Sequence, residues 1–326
     1  MNILITGGAG FIGSHLVDWH RAQGDQVQVV DDLSTGYREN LRAYQQDHAV
    51  TLTVADLLDW DGLDEAAAWA DRIYHLAAVV GVHRVLADPL RCLDVNVQGT
   101  RRVLEAAARA GTATLIASSS EVYGFNRNAS FYEHGSLVLK SADYERWSYA
   151  IAKMMDETQA VIFAKRQGLP VVTVRLFNTV GPRQVGAYGM VVPNFVRQAV
   201  AGDPVTIFGN GQQTRAFCDV RDTARALSQL NGNPEAFGRI VNVGHDQEIT
   251  IQALAERVVE RASSRSPICH KSYAEAYGMD FRDIDHRSPD LTLLYAITGF
   301  CHEWSLDRTL DDLIKAERTQ RARRAA

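Results

Sequence analysis

Short apolar runs alternate along the first half of the chain with stretches in which apolar residues recur every third or fourth position. "NILIT" (2–6), "QVQVVD" (26–31), "VTLTVAD" (50–56), "RIYHLA" (72–77) and "TATLIAS" (112–118) are rich in branched residues, and each predicts a strand. Between them, "GSHLVDWHRAQG" and "NVQGTRRVLEAAARAG" carry helical spacing and stop at a glycine. A long helix is predicted over 147–167, ending at Gly168, and then the strand "PVVTVRLFN" (170–178). Strands alternating with helices imply right-handed crossovers, so the expected class is α/β, with a doubly wound parallel sheet. The pattern then changes. "TVGPRQVGAYGMVVPN" is rich in Gly and Pro and reads as loop. Beyond it, short strands ("PVTIFG", "RIVNVG") mix with helices at about 250–262 and 307–320. The expectation is a first domain over 1–179 and a smaller mixed α/β domain over 180–326. That boundary is approximate, and strands of the second half are free to return to the first.

Composition narrows the class. Of 326 residues, 46% are hydrophobic and 22% charged, ordinary for a globular protein able to build a sizeable core. A net charge of −5 argues against nucleic acid as the main partner. The basic run at 318–324 is too short to change that and reads as a solvated helix end. Cys92, Cys218, Cys269 and Cys301 are scattered without metal-ligand spacing, which points to reduced thiols in a cytoplasmic protein and to no metal. The N-terminus enters a strand at once, leaving no room for a signal peptide, and no apolar run is long enough to span a membrane.

The first strand runs directly into "ITGGAGFIG". Gly7, Gly10 and Gly13 permit a tight turn, a close approach of backbone to pyrophosphate, and close helix–strand packing. The helix that opens at Phe11 and Ile12 offers its free N–H groups and dipole to the anion. Asp31 ends the next strand, where its carboxylate can accept hydrogen bonds from ribose hydroxyls and repel a 2′-phosphate, which favours NAD over NADP. The Gly-x-x-Gly-x-x-Gly spacing resembles that of the short-chain dehydrogenase/reductase family, and with it a Rossmann-type fold. That resemblance assigns adenine contact to Asp56 with its neighbour Leu57. It places the "HLAA" segment (Leu76, Ala77, Ala78) under the cofactor, and makes Asn96 a support for the fourth helix.

"SYAIAK" puts Tyr149 and Lys153 at i and i+4, on one helix face. A phenol of ordinary pKa, about 10, is a poor base at neutral pH. An ammonium about 4 Å away is worth roughly 4 kcal/mol at an effective dielectric near 20. That suffices to lower the phenol by up to about three units. With the oxidised nicotinamide adding positive charge on the same side, Tyr149 could then take a proton from a substrate hydroxyl while hydride leaves the same carbon for NAD, and Ser119 would hold that oxygen.

Together these motifs resemble, over essentially the whole chain, the extended branch of that family: nucleotide-sugar epimerases, dehydratases and decarboxylases. The resemblance implies that Asn178 and Arg183 in "RLFNTVGPRQ" contact the nucleotide sugar. Val192 and Arg215 fall in the nucleotide-binding stretch 190–222, with Arg215 on the phosphates. Within "LIASSSEVYG", Ser120 replaces the aspartate of a dehydratase pair, and Glu121 is an acid that simple UDP-glucose epimerases lack. Ser120-Glu121 before "VYG" is similar to UDP-glucuronate decarboxylases, as are "ERWSYAIAK" (145–153) and "AYGMDFRDIDHRSPD" (276–290). Arg287 matches an arginine those enzymes need, and would hold a carboxylate or a phosphate. The implied reaction is oxidation at C4 and decarboxylation of UDP-glucuronate through a 4-keto intermediate. The alternative is a 4-epimerase of a UDP-hexose or UDP-hexuronate; a 4,6-dehydratase fits less well. The resemblance also implies a homodimer built on the helices at about 95–110 and 147–167.

Overall fold

The structure is a computed structural model that describes residues 1–126, 130–139, 141, 145–186, 190–272 and 286–325. Its centre is a seven-stranded parallel sheet. The first half of the chain supplies β1 (Asn2–Thr6), β2 (Gln26–Asp31), β3 (Val50–Val54), β4 (Arg72–His75), β5 (Ala113–Ser119) and β6 (Val171–Leu176). The second half supplies β7 (Thr179–Val180), β8 (Val205–Phe208), β9 (Thr214–Ala216), β10 (Cys218–Asp219), β11 (Ile240–Val243), β12 (Glu248–Thr250), β13 (Ile268–Lys271) and β14 (His286–Arg287). In the sheet the order is β11-β6-β5-β4-β1-β2-β3, so the sequence reverses direction beside β1. In such sheets ligands bind outside the carboxyl ends of the strands at that reversal.

The helices are α1 (Phe11–Ala22), α2 (Leu63–Trp69), α3 (Val82–Ala87), α4 (Pro89–Ala110), α5 (Ser148–Gln167), α6 (Val191–Ala201), α7 (Val220–Asn231) and α8 (Ile251–Arg261); two more span Thr292–Thr298 and Leu306–Ala325. One sheet face is covered by Leu16 and Val17 of α1 with Leu227 and Leu230 of α7. The other is covered by Ala66 and Ala67 of α2, Val103 and Leu104 of α4, and Ala160 and Phe163 of α5. α4 begins where the Asp88 side chain accepts from the Arg91 N–H at 2.9 Å with Pro89 in its first turn, and stops at left-handed Gly111. α5 stops in the same way at Gly168.

A third apolar cluster joins Val192 and Phe195 of α6, Val205 and Ile207 of β8, and Leu254 and Val258 of α8 with Leu310 of the last helix. The chain crosses between the two halves more than once. α7, β11 and Leu294 from the second half pack into the core around the central sheet. The glycine- and proline-rich segment is not all loop: β7 lies at its start, and α6 begins at Val191 with Pro193 in the first turn, where a missing N–H costs nothing. Residues 276–285 of the "AYGMDFRDIDHRSPD" match lie outside the described residues.

Candidate active site

The cofactor loop is shaped by what a side chain would strike. Gly7 takes φ +74°, and a Cβ there would sit 2.6 Å from the Ala77 backbone nitrogen. At Gly13 the added atom would lie 2.3 Å from the Gly7 carbonyl oxygen. α1 starts after Gly10 with no side-chain cap and no acid in its first turn, so its leading N–H groups suit a pyrophosphate. Asp31 Oδ2 accepts from the Ala9 N–H at 2.9 Å and Oδ1 from the Leu33 N–H at 2.8 Å. The Gly10 N–H adds a third contact to this carboxylate, which still leaves acceptor capacity for a ribose hydroxyl. Burial lifts the Asp31 carboxyl above its usual range, and the Leu33 and Ala9 N–H bonds pull it back. Gly36, not singled out from the sequence, packs so close that a Cβ would meet both Asp31 oxygens at 2.8 Å.

The other residues expected to meet the cofactor lie beside this loop. Asp56 accepts from the Leu58 N–H at 2.9 Å and pairs with Arg91 at 3.2 Å, while Leu57 is buried beside them. Asn96 Oδ1 accepts from the Val79 N–H at 2.8 Å and its Nδ2 donates to the Val79 carbonyl at 3.2 Å, clamping the chain just after Leu76, Ala77 and Ala78. His75 bonds Thr6 at 2.7 Å and Thr100 at 3.1 Å, and burial pushes its pKa down to about 3. It is neutral scaffolding. The arrangement fits NAD.

β5 delivers Ser119 to the catalytic corner, and a short turn of 3₁₀ helix (Ser120–Tyr123) carries Ser120 and Glu121. Ser119 Oγ accepts from the Glu121 N–H at 3.2 Å, and the Ser119 hydroxyl also bonds the Tyr149 phenol. Tyr149 and Lys153 lie on α5 as expected, but the phenol is not lowered. Burial pushes it up, outweighing the pull of Lys153, with Glu121 and Asp156 adding to the rise. Lys153 Nζ is occupied: it donates to Asp156 Oδ2 at 3.0 Å. Burial would push the ammonium down, but Asp156 and Tyr149 hold it above its ordinary value. Asp156 was not picked out in the sequence, where it is one more polar residue on a helix. Ser118 donates to Glu157 at 2.6 Å, and Glu157 grips Arg175 of β6 through two bonds of 2.8 Å, which fixes α5 against the sheet.

Glu121 and Arg287 are 166 residues apart and meet directly, Arg287 Nη1 donating to Glu121 Oε1 at 2.7 Å. β14 runs parallel to β9 in a register that sets Arg287 opposite Arg215. Two arginines side by side on a ladder repel unless anions lie between them. Arg215 also lines a cavity of about 440 Å³ with Asn178, Val192, Phe208, Gln213 and Phe217. Asn178 Nδ2 donates to the Ala216 carbonyl at 3.1 Å, closing that wall. Arg183 is placed elsewhere: its guanidinium pairs with Asp18 of α1 at 2.8 Å, and its neighbour Gln184 lines the cavity instead. Among the described residues no group of His, Cys, Asp and Glu could hold a metal.

Loop, helix pair and sheet order agree with one class of protein. The chain belongs to the NAD dependent epimerase/dehydratase family, whose model matches residues 3–244. It is an NAD-dependent enzyme of the short-chain dehydrogenase/reductase type. It is 35% identical over 316 residues to a UDP-N-acetyl-alpha-D-glucosaminuronate decarboxylase of Bacillus cytotoxicus, covering 96% of both chains. It is 34% identical to UDP-glucuronic acid decarboxylase 1 of Danio rerio over 91% of this chain and 68% of that protein. A UDP-N-acetylglucosamine 4-epimerase from Methanobrevibacter ruminantium, solved with UDP-N-acetylmuramic acid, superposes with a TM-score of 0.87 at 30% identity over 98% of each chain. No helix among the described residues is long and apolar enough to cross a membrane.

Proposed function

We propose that the protein decarboxylates a UDP-hexuronate by transient oxidation at C4. The observation that carries this reading is the 2.7 Å pair of Glu121 and Arg287, set beside Tyr149 and next to Arg215. Arg215 reaches the diphosphate from the nucleotide cavity with a guanidinium fork suited to that contact, Asn178 and Val192 hold the nucleotide sugar, and Arg287 is left for the C5 carboxylate.

NAD, held by the glycine loop and Asp31, would supply the acceptor for the C4 hydride and, while oxidised, a positive charge near Tyr149. Tyr149 takes the O4 proton while Ser119 holds that oxygen and Lys153 stabilises the phenolate. The C5 carboxylate is then β to a ketone. Its C–C bond breaks toward C4, carbon dioxide leaves, and Tyr149 and Ser119 stabilise the enolate oxygen. A carboxylate gripped by a full positive charge resists becoming neutral carbon dioxide, because the ground state is then favoured over the transition state. Glu121 takes up part of the Arg287 charge, so Arg287 orients the carboxylate without locking it. A proton from water, passed along Glu121 and Ser120, then reaches C5 of the enolate and leaves the 4-keto pentose.

The test is product analysis by NMR after incubation with UDP-glucuronate, UDP-N-acetylglucosaminuronate and UDP-glucose. A UDP-pentose or 4-keto-pentose from either uronate supports decarboxylation; six retained carbons with inversion at C4 would replace it by epimerisation. Both uronates are included because similar proteins are named for each.

The division of labour partly follows the chain: NAD is held mainly by 1–179 and the nucleotide mainly by 180–326, while Ser119, Glu121, Tyr149 and Asn178 reach the sugar from the first segment. We also assign a homodimer through α4 and α5, which pack on each other and leave Leu90, Met155 and Ile162 exposed, and a place in the cytoplasm.

A further inference from the structure

The buried flank of the catalytic pair holds a carboxylate for which the chemistry above has no use. Asp156 follows Lys153 by one helical turn on α5; it is fully buried, Lys153 is 2% exposed, and the two are 3.0 Å apart. A buried ion pair is a weak source of stability, since desolvating two charges offsets their attraction. The neighbouring pair, Glu157 with Arg175, ties α5 to β6. The Lys153–Asp156 pair joins no two elements, being three residues apart on one helix. Asp156 Oδ1 is buried without a hydrogen bond of good geometry, near Thr100 of α4.

We propose that Asp156 is a positioning residue for the catalytic pair, holding the Lys153 ammonium on the core side of α5 and screening its charge from the Tyr149 phenol. The surrounding groups leave this task to Asp156. Tyr149 faces Ser119 and Glu121, and Glu121 is paired with Arg287. Lys153 faces His75 of β4 and Cys92 of α4. Burial keeps both neutral, pushing the imidazole down to about 3 and the thiol up to about 11. Glu157 and Arg175 neutralise each other. Removing the Asp156 charge therefore lowers the pH at which the Tyr149–Lys153 pair loses its first proton, whichever residue carries it. The inference rests on Tyr149 being the base that oxidises C4, and not on what happens to the carboxylate afterwards.

Asp156→Asn keeps the shape and removes the charge; Asp156→Ser does so with less bulk. In the holoenzyme, the acid limb of the pH profile for NAD reduction should move about one unit toward acid in either variant. Ultraviolet titration of the phenol, taken as the difference from Tyr149→Phe, should move with it, without substrate. A folded variant with both midpoints unmoved overturns the inference. If neither variant folds, the wild type decides, titrated with its nicotinamide reduced and uncharged. A Tyr149 midpoint well below about 10 would show Lys153 acting on the phenol unscreened and overturns the inference. A Tyr149→Phe enzyme that still oxidises C4 would instead remove the base itself, a separate failure.

Discussion

The cofactor side and the sugar side of this site are built by different means. On the cofactor side, function resides in backbone. Gly7 and Gly13 are required because any Cβ would strike the chain 2.3–2.6 Å away, and Asp31 is fixed by two N–H groups. Apart from the Ala77 backbone that Gly7 packs on, these lie within residues 7–33. On the sugar side, function resides in side-chain charge brought together from residues 119–121, 149–156, 215 and 287. There Glu121, Arg287 and Arg215 depend on tertiary contacts such as the β9–β14 ladder, while the Lys153–Asp156 pair lies within α5 and owes only its burial to the fold. A backbone cradle tolerates no substitution but needs few residues. A charge cluster can be retuned by single changes, which suits a family whose members include epimerases, dehydratases and decarboxylases.

Substitutions should separate the two sides. Tyr149→Phe should lower turnover by about 10³-fold while NAD stays bound, since it removes the acid–base group and leaves the cradle intact. Gly13→Ala should do the opposite, yielding protein purified without NAD and unable to reduce it, because its Cβ cannot fit. Equal NAD occupancy in Gly13→Ala and wild type would break the contrast. Glu121→Gln should slow carbon dioxide release by more than about tenfold with NAD binding unchanged. Arg215→Ala should weaken UDP binding in calorimetry by about 10- to 100-fold, the worth of a charge-assisted bond, again with NAD unaffected.

The smallest effect concerns His75, buried between Thr6 and Thr100. Its folded pKa, about 3, lies below the ordinary value of 6.5, so the unfolded chain binds the extra proton between those limits. Stability from keeping it neutral is full above pH 6.5 and declines as pH falls toward about 3. His75→Gln should flatten the fall in Tm across that window.

These contrasts also explain what could be read from the chain. The glycine loop, Asp31, and strands such as Asn2–Thr6 and Gln26–Asp31 were legible because their causes are local. Tyr149 and Lys153 were legible because one helical turn relates them. The Glu121–Arg287 bond was not, since nothing local relates residues 166 positions apart. Asp156 escaped notice because only burial separates it from a surface carboxylate, and that is set by α4 packing on α5. The balance on the Tyr149 phenol was hidden for the same reason: Lys153 pulls it down, but burial, Glu121 and Asp156 push it up. Arg183 was placed with the sugar by its neighbours in sequence, whereas its guanidinium turns to Asp18.

The central claim is that the sugar side releases the uronate carboxylate. It is tested most directly with UDP-hexuronate labelled with carbon-13 at C6. The account predicts that the label appears as carbon dioxide and bicarbonate in step with substrate consumed, in wild type and not in Tyr149→Phe. Label retained in a sugar inverted at C4 would contradict it.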